Sequence, residues 1–266
     1  MIEGGCKMIE EIPSIGLGTW NLRGNDAVTT IQMALDLGYQ HIDTAFNYEN
    51  QESIGKAIKG WDRESLFITS KAMPSQGDLE EICEKSLKEL GIDFLDLYLI
   101  HWPDRSFPIE SMLEKMERLK KQGKIKRYGV SNFTVSHLKD WISLKAQIYC
   151  NQVEFHPFLY QKELWRFCKE NNIKIVAYRP LGKGALLKEP VISEIAKDYG
   201  KTSSQILLRW LFQKEISMVV KASSKEHLKN NLEIMGFTLK DSDMATLDSL
   251  NKDQRFCNQW WSDFDY

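Results

Sequence analysis

The chain of 266 residues is long enough for a sizeable buried core, and at roughly 150 residues per domain the nominal count lies between one and two. Lys and Arg total 35 against 37 Asp and Glu, a formal net charge of -2 that provides no global field for capturing DNA, RNA or an acidic membrane surface. With 42% hydrophobic and 27% charged residues the composition is globular, and apolar runs such as Met218-Val219-Val220 are far too short to span a bilayer.

Residues 1–7 hold neither a basic nor an apolar stretch, so no signal peptide is expected. Cys6, Cys83, Cys150, Cys168 and Cys257 are scattered, odd in number and without a CxxC pair. That pattern disfavours disulfide and zinc frameworks, so the expectation is a reduced, cytoplasmic setting and no metal.

In chain order, a short apolar strand, a polar loop and an amphipathic helix recur. A strand at 15–17 precedes a helix over 26–37 that stops at Gly38, and strands follow at 41–43 and 66–69. Asp78 caps a helix with Leu79, Ile82, Cys83, Leu87 and Leu90 on one face, ended by Gly91. After a strand at 94–100, Ile109, Met112, Leu113, Met116 and Leu119 repeat at helical spacing until Gly123. Strands at 126–130, 151–154, 173–177 and 218–220 complete a set of eight, and Ser223 with Glu226 forms a capping box ahead of Leu228 and Leu232. Strands alternating with helices imply parallel pairing through crossover helices. Eight units in this length fit a closed α/β barrel, the (β/α)8 TIM barrel, better than an open doubly wound sheet. The expected organisation is one domain over 1–266, with a short N-terminal extension and a short C-terminal tail.

Several familiar signatures are missing. Gly182-Lys183-Gly184 begins like a dinucleotide fingerprint but lacks the third glycine and sits late in the chain, so any nicotinamide cofactor binds without a Rossmann motif. GxxxxGK[ST], HExxH and GxSxG do not occur either.

In such a barrel the reactive side chains stand at the C-terminal ends of the strands. Those positions hold Trp20, Asp43 with Tyr48 in the following loop, Lys71, His101 with Trp102, Ser131 and Asn132, Gln152, Tyr178 and Lys221. A tyrosine with an ordinary pKa of about 10 is a weak proton donor at neutral pH. An ammonium about 4 Å away, at an effective dielectric near 20, is worth roughly 4 kcal/mol, so Lys71 is expected to draw the Tyr48 phenol down while Asp43 offsets part of the effect. His101 would hydrogen-bond a carbonyl oxygen and align it toward Tyr48. The set suits protonation of an oxygen while hydride reaches the adjoining carbon.

These segments resemble the aldo-keto reductases. The resemblance is carried in order by 16–20 (GLGTW), 41–48 (HIDTAFNY), 68–71 (ITSK), 97–103 (LYLIHWP), 129–132 (GVSN), 151–154 (NQVE), 178–182 (YRPLG) and Lys221 onward, nearly the whole chain. It implies a (β/α)8 barrel binding extended NADPH, with NADH weaker, and a catalytic tetrad of Asp43, Tyr48, Lys71 and His101. It further implies that Gly18, Thr19, Trp20 and Asp43 lie along the cofactor, and that Ser131, Asn132 and Gln152 bond the nicotinamide carboxamide. Tyr178 would stack under the ring, followed by Arg179, Pro180 and Leu181. Lys221, Ala222, Ser223, Ser224 and His227 would meet the 2′-phosphate, and Asn231 the adenine. Trp20, Tyr48, His101 and Trp102 would wall the substrate.

Where many relatives carry Ser and Arg, this chain has Ala222 and His227, which softens the NADPH preference. Arg179 replaces a common Ser and either pairs with the pyrophosphate or points to solvent. The short loop over 102–108 and the short tail imply an open pocket, similar to compact prokaryotic reductases acting on diketogluconate or methylglyoxal. Trp260 and Trp261 either cover the mouth or pack on the outer helices. The expected activity is reduction of a small carbonyl, such as a sugar ketoacid or dicarbonyl, by a monomer; a non-catalytic, cofactor-binding barrel is the alternative.

Overall fold

The computed structural model of the protein describes residues 9–259 and 262–264. Eight parallel strands close on themselves in sequence order: β1 (Ile15–Gly18), β2 (His41–Asp43), β3 (Phe67–Ala72), β4 (Leu95–Ile100), β5 (Ile125–Ser131), β6 (Cys150–Glu154), β7 (Lys174–Tyr178) and β8 (Ser217–Val220). Pairing of Leu17 with Val220 shuts the ring, so no edge strand is left to template aggregation. Around it run α1 (Gly24–Asp36), α2 (Gln51–Ile58), α3 (Leu79–Leu90), α4 (Ile109–Lys121), α5 (Val135–Ser143), α6 (Lys162–Glu170), α7 (Pro190–Tyr199), α8 (Ser203–Gln213), α9 (Lys225–Leu232) and α10 (Asp241–Asp248). The architecture is the expected single-domain (β/α)8 barrel. No helix among the described residues is long and apolar enough to cross a membrane.

Strand alternation builds two cores. Phe67, Leu97, Leu99, Cys150, Val176 and Val219 fill the barrel interior, with Ile12 closing its lower end. Their neighbours Ile68, Tyr98, Ile100, Ile175, Met218 and Val220 pack outward against the helices. Because the side-chain period is two, Lys71 shares the inner face with Phe67, Gln152 with Cys150 and Tyr178 with Val176. Polar residues at the upper ends of the strands are thereby aimed at one point.

Asp78 caps α3 by accepting from the amides of Glu80 and Glu81, and Gly91 ends it at φ +66°. The cap of α9 differs from the expected Ser223 and Glu226 pair. Ser224 is the capping residue, its hydroxyl accepting from the His227 amide, because the helix begins one residue later at Lys225. β3 runs three residues beyond the expected 66–69, since Ser70 and Ala72 continue to pair with Tyr98 and Ile100. Trp260 and Trp261 lie outside the described residues.

Candidate active site

The ammonium of Lys71, only 1% exposed, donates to Asp43 Oδ1 at 2.6 Å and to the Thr44 carbonyl at 2.8 Å. The other carboxylate oxygen, Oδ2, accepts from Gln152 Nε2 at 2.7 Å, so β2, β3 and β6 are tied together at their upper ends. Above this pair lie two rings. The Tyr48 ring centroid is 5.3 Å from Lys71 Nζ, and the His101 ring meets Tyr48 edge-on at 5.8 Å. The four expected tetrad residues are thus brought together, Asp43 from β2, Lys71 from β3, His101 from just after β4 and Tyr48 from the loop after β2. The loop is held in turn by buried Asn50, which accepts from the Thr44 hydroxyl and donates to the carbonyls of Thr19 and Leu22.

The electrostatics correct one expectation. The Tyr48 phenol is pushed up from its ordinary value, first by burial and then by the negative charge of Asp43. These two effects outweigh any pull from Lys71, whose ammonium is paired with Asp43 at 2.6 Å and lies 5.3 Å from the ring centroid. Lys71 is itself lowered by burial, which its contacts with Asp43 oppose. His101 is held well below 6.5 by burial and by Lys71, so its imidazole is neutral. Its Nδ1 is buried without a partner, leaving Nε2 as the ring nitrogen able to meet a ligand.

These rings border a cavity of about 430 Å³, also lined by Gly18, Trp20, Asp43, Trp102, Ser131, Asn132, Gln152, Tyr178, Arg179, Pro180, Leu181 and Lys221. Trp20 is half exposed at the rim and Trp102 is buried in the wall. Ser131 donates to the Gln152 carbonyl and accepts from Asn132, whose side-chain oxygen accepts from the Tyr178 hydroxyl at 2.7 Å. This network fixes the Tyr178 ring as part of the cavity surface.

Other expected residues fall elsewhere. Lys71 lies beneath the cavity. Thr19 is fully buried, its amide and hydroxyl both donating to the Asp43 carbonyl, so it braces the backbone of β2. Ser223, Ser224 and His227 are exposed about the start of α9, with Ala222 buried beside them. Asn231 is buried instead of facing solvent, and the Tyr39 hydroxyl donates to the carbonyl of Leu228 on the same helix. Arg179 is half-buried in the cavity wall. Its Nη1 donates to the Phe256 carbonyl at 2.7 Å, and its guanidinium lies 5.6 Å from the Trp20 ring.

Sequence reasoning missed Asn47, Met73, Lys183, Gly184, Val219, Val220, Cys257 and Gln259, which also line the cavity. Lys183 was visible only as the middle of an incomplete glycine motif. Cys257 and Gln259 belong to the C-terminal segment, which reaches the cavity wall.

The model of the aldo/keto reductase family matches residues 14–252. A glyoxal reductase of Bacillus subtilis is 41% identical, over 92% of this chain and 91% of its own. A glycerol 2-dehydrogenase (NADP(+)) of Saccharomyces cerevisiae is 38% identical, over 96% and 93% of the two chains. The crystal structure of MGS-M4, an aldo-keto reductase from a Medee basin deep-sea metagenome library, superposes with a TM-score of 0.89 at 38% identity, covering 96% of this chain and 97% of that one. The chain belongs to the aldo/keto reductase family of NAD(P)H-dependent oxidoreductases.

Proposed function

We propose that the protein reduces a small aldehyde or ketone to the alcohol with NADPH, and that Tyr48 is the proton donor. The observation that carries this reading is the buried Lys71–Asp43 pair, bonded at 2.6 Å, beneath the Tyr48 and His101 rings at the wall of one cavity. A bound nicotinamide supplies the hydride. Tyr48, kept protonated by burial and Asp43, retains its proton until negative charge develops on a nearby carbonyl oxygen, an alkoxide being a stronger base than a phenolate. Neutral His101 hydrogen-bonds that oxygen through Nε2 and aligns it with Tyr48. Asp43, Lys71 and Gln152 hold the floor of the site rigid.

The chain's own groups suit the cofactor. Ser131, Asn132 and Gln152 form a buried amide and hydroxyl cluster fit for a carboxamide, and the immobilised Tyr178 ring is fit for stacking. Lys183 and Lys221 line the cavity and are exposed, with no carboxylate at ion-pair distance among the described residues. Together with Ser223, Ser224 and His227 they are the groups suited to phosphate. An imidazole at 227 offers less than a guanidinium fork, so NADPH is preferred over NADH by a reduced margin. We assign the substrate to small dicarbonyls or sugar ketoacids, supported by the cavity volume of about 430 Å³ and by the similarity to a glyoxal reductase. We also propose that the protein acts as a cytoplasmic monomer.

The test is to mix the protein with NADPH and a panel of dicarbonyls, sugar ketoacids and aromatic aldehydes, following the absorbance of reduced nicotinamide while tryptophan fluorescence reports cofactor binding. Turnover is expected for small dicarbonyls or ketoacids. Cofactor binding without oxidation across the panel would replace the reductase reading with that of a non-catalytic binding barrel.

A further inference from the structure

Glu154 ends β6 in a fully buried position, and the proposed chemistry leaves it unused. Its Oε1 accepts from His156 Nε2 at 3.0 Å and from the Phe256 amide at 2.8 Å, while Oε2 accepts from the Cys257 amide at 2.8 Å. Burial acts against the charged carboxylate, yet these bonds bring its pKa below the ordinary value. From the loop after β7, Arg179 donates to the carbonyl of the same Phe256. The backbone of residue 256 is therefore gripped at both ends, a carboxylate on its N–H and a guanidinium on its C=O. Bonds to charged groups are shorter and roughly twice as strong as neutral ones.

The seat is shaped for this contact. The Phe256 ring packs 5.4 Å from that of His156. Gly182 adopts φ +52°, and a Cβ there would come within 2.8 Å of the Phe256 ring. Arg179 holds φ +51°, a conformation uncommon for a residue with a Cβ. Beyond the grip, Phe264 meets Trp102 edge-on at 5.7 Å and lies under the Arg255 guanidinium at 3.7 Å, so the tail returns to the loop after β4.

We propose that Glu154 and Arg179 are positioning residues that latch the C-terminal segment at Phe256, seating Cys257 in the cavity wall and coupling the tail to the loop after β1 through Trp20. The consequence for substrate binding rests on the reductase reading, whereas the latch itself does not.

The experiment is N-ethylmaleimide labelling of the full chain without cofactor or carbonyl, mapped by peptide mass spectrometry. In the parent protein Cys257 is 8% exposed, and Cys83, Cys150 and Cys168 are fully buried internal references. Arg179→Leu is expected to label Cys257 about tenfold faster or more, the factor for losing one hydrogen bond to a charged group. The references should not change, and Arg179→Lys should restore part of the protection. Glu154→Gln should also expose Cys257 and raise KM for the carbonyl more than it lowers kcat. If Glu154→Gln fails to fold, the arginine variants decide alone. Parent-rate labelling of Cys257 in Arg179→Leu, or acceleration shared by the three references, overturns the latch. Absence of turnover in the parent protein would sink the reductase reading and leave the labelling result as the judge of the latch.

Discussion

Replacing Asp43 by asparagine leaves Lys71 as a buried ammonium whose acceptors, the new amide oxygen and the Thr44 carbonyl at 2.8 Å, carry no charge to compensate it. An uncompensated buried charge of this kind costs about 3–5 kcal/mol. The cost has a ceiling, because the lysine can instead lose its proton. From its ordinary value of 10.5, being neutral at pH 7 costs about 5 kcal/mol at roughly 1.4 kcal/mol per pH unit. The expected loss of stability at pH 7 is therefore about 3–5 kcal/mol. The new amide also meets the Gln152 amide group that formerly donated to Asp43 Oδ2. The sign of the pH dependence follows from linkage. A lysine neutral in the folded variant and charged when unfolded makes the unfolded state bind more protons, so the variant gains stability as pH rises. At pH 9 the ceiling has fallen to about 2 kcal/mol. Urea unfolding of both proteins at pH 7 and pH 9, followed by fluorescence of the buried Trp141 and Trp210, measures the difference. A deficit below about 1 kcal/mol at pH 7, or one of equal size at pH 9, would show that the pair does not act as a buried, mutually dependent unit.

Tyr48→Phe should lower kcat by about 10²–10⁴, the usual contribution of a general acid, with the dissociation constant for NADPH within about twofold of the parent. A kcat within tenfold of the parent would remove Tyr48 from the proton step. His227→Arg should tighten NADPH about three- to tenfold and leave NADH unchanged, as a guanidinium beside the 2′-phosphate requires; equal effects on both dissociation constants would move residue 227 away from that phosphate. His41 is fully buried between Thr69 and Phe67, and burial lowers its pKa to about 4. Below its unfolded value of 6.5 the unfolded state takes up the proton first, so about 3 kcal/mol of stability present at pH 7 is lost as pH falls toward 4. Unfolding free energies between pH 7 and pH 4 should show a shallower slope in a folded His41→Gln variant, and identical slopes would falsify the assignment.

The barrel was legible in the sequence because its causes are local and repeated. Apolar runs such as 94–100 and 173–177, separated by helices with Asp78 and Gly91 at their ends, carry both the strand period and the crossover rule within a few residues. Asp43, Lys71 and His101 were found as polar residues at the ends of apolar strands. Where reading stopped at 69, the polarity of Ser70 and Lys71 concealed a strand that only its ladder with β4 sustains.

Side-chain spacing along one chain does not contain the contacts made across the barrel. The 2.6 Å bond that pairs Lys71 with Asp43 spans 28 positions, and burial, with the charge of Asp43 second, reverses the expected direction for Tyr48. Arg179 meets Phe256 across 77 positions and Glu154 meets Cys257 across 103, so neither the commitment of Arg179 nor the reach of the tail could be inferred from local pattern. Periodicity and capping are properties of neighbours in the chain and specified which strands and helices form. Burial and electrostatic partnership are properties of neighbours in space, and closure of the barrel decided them.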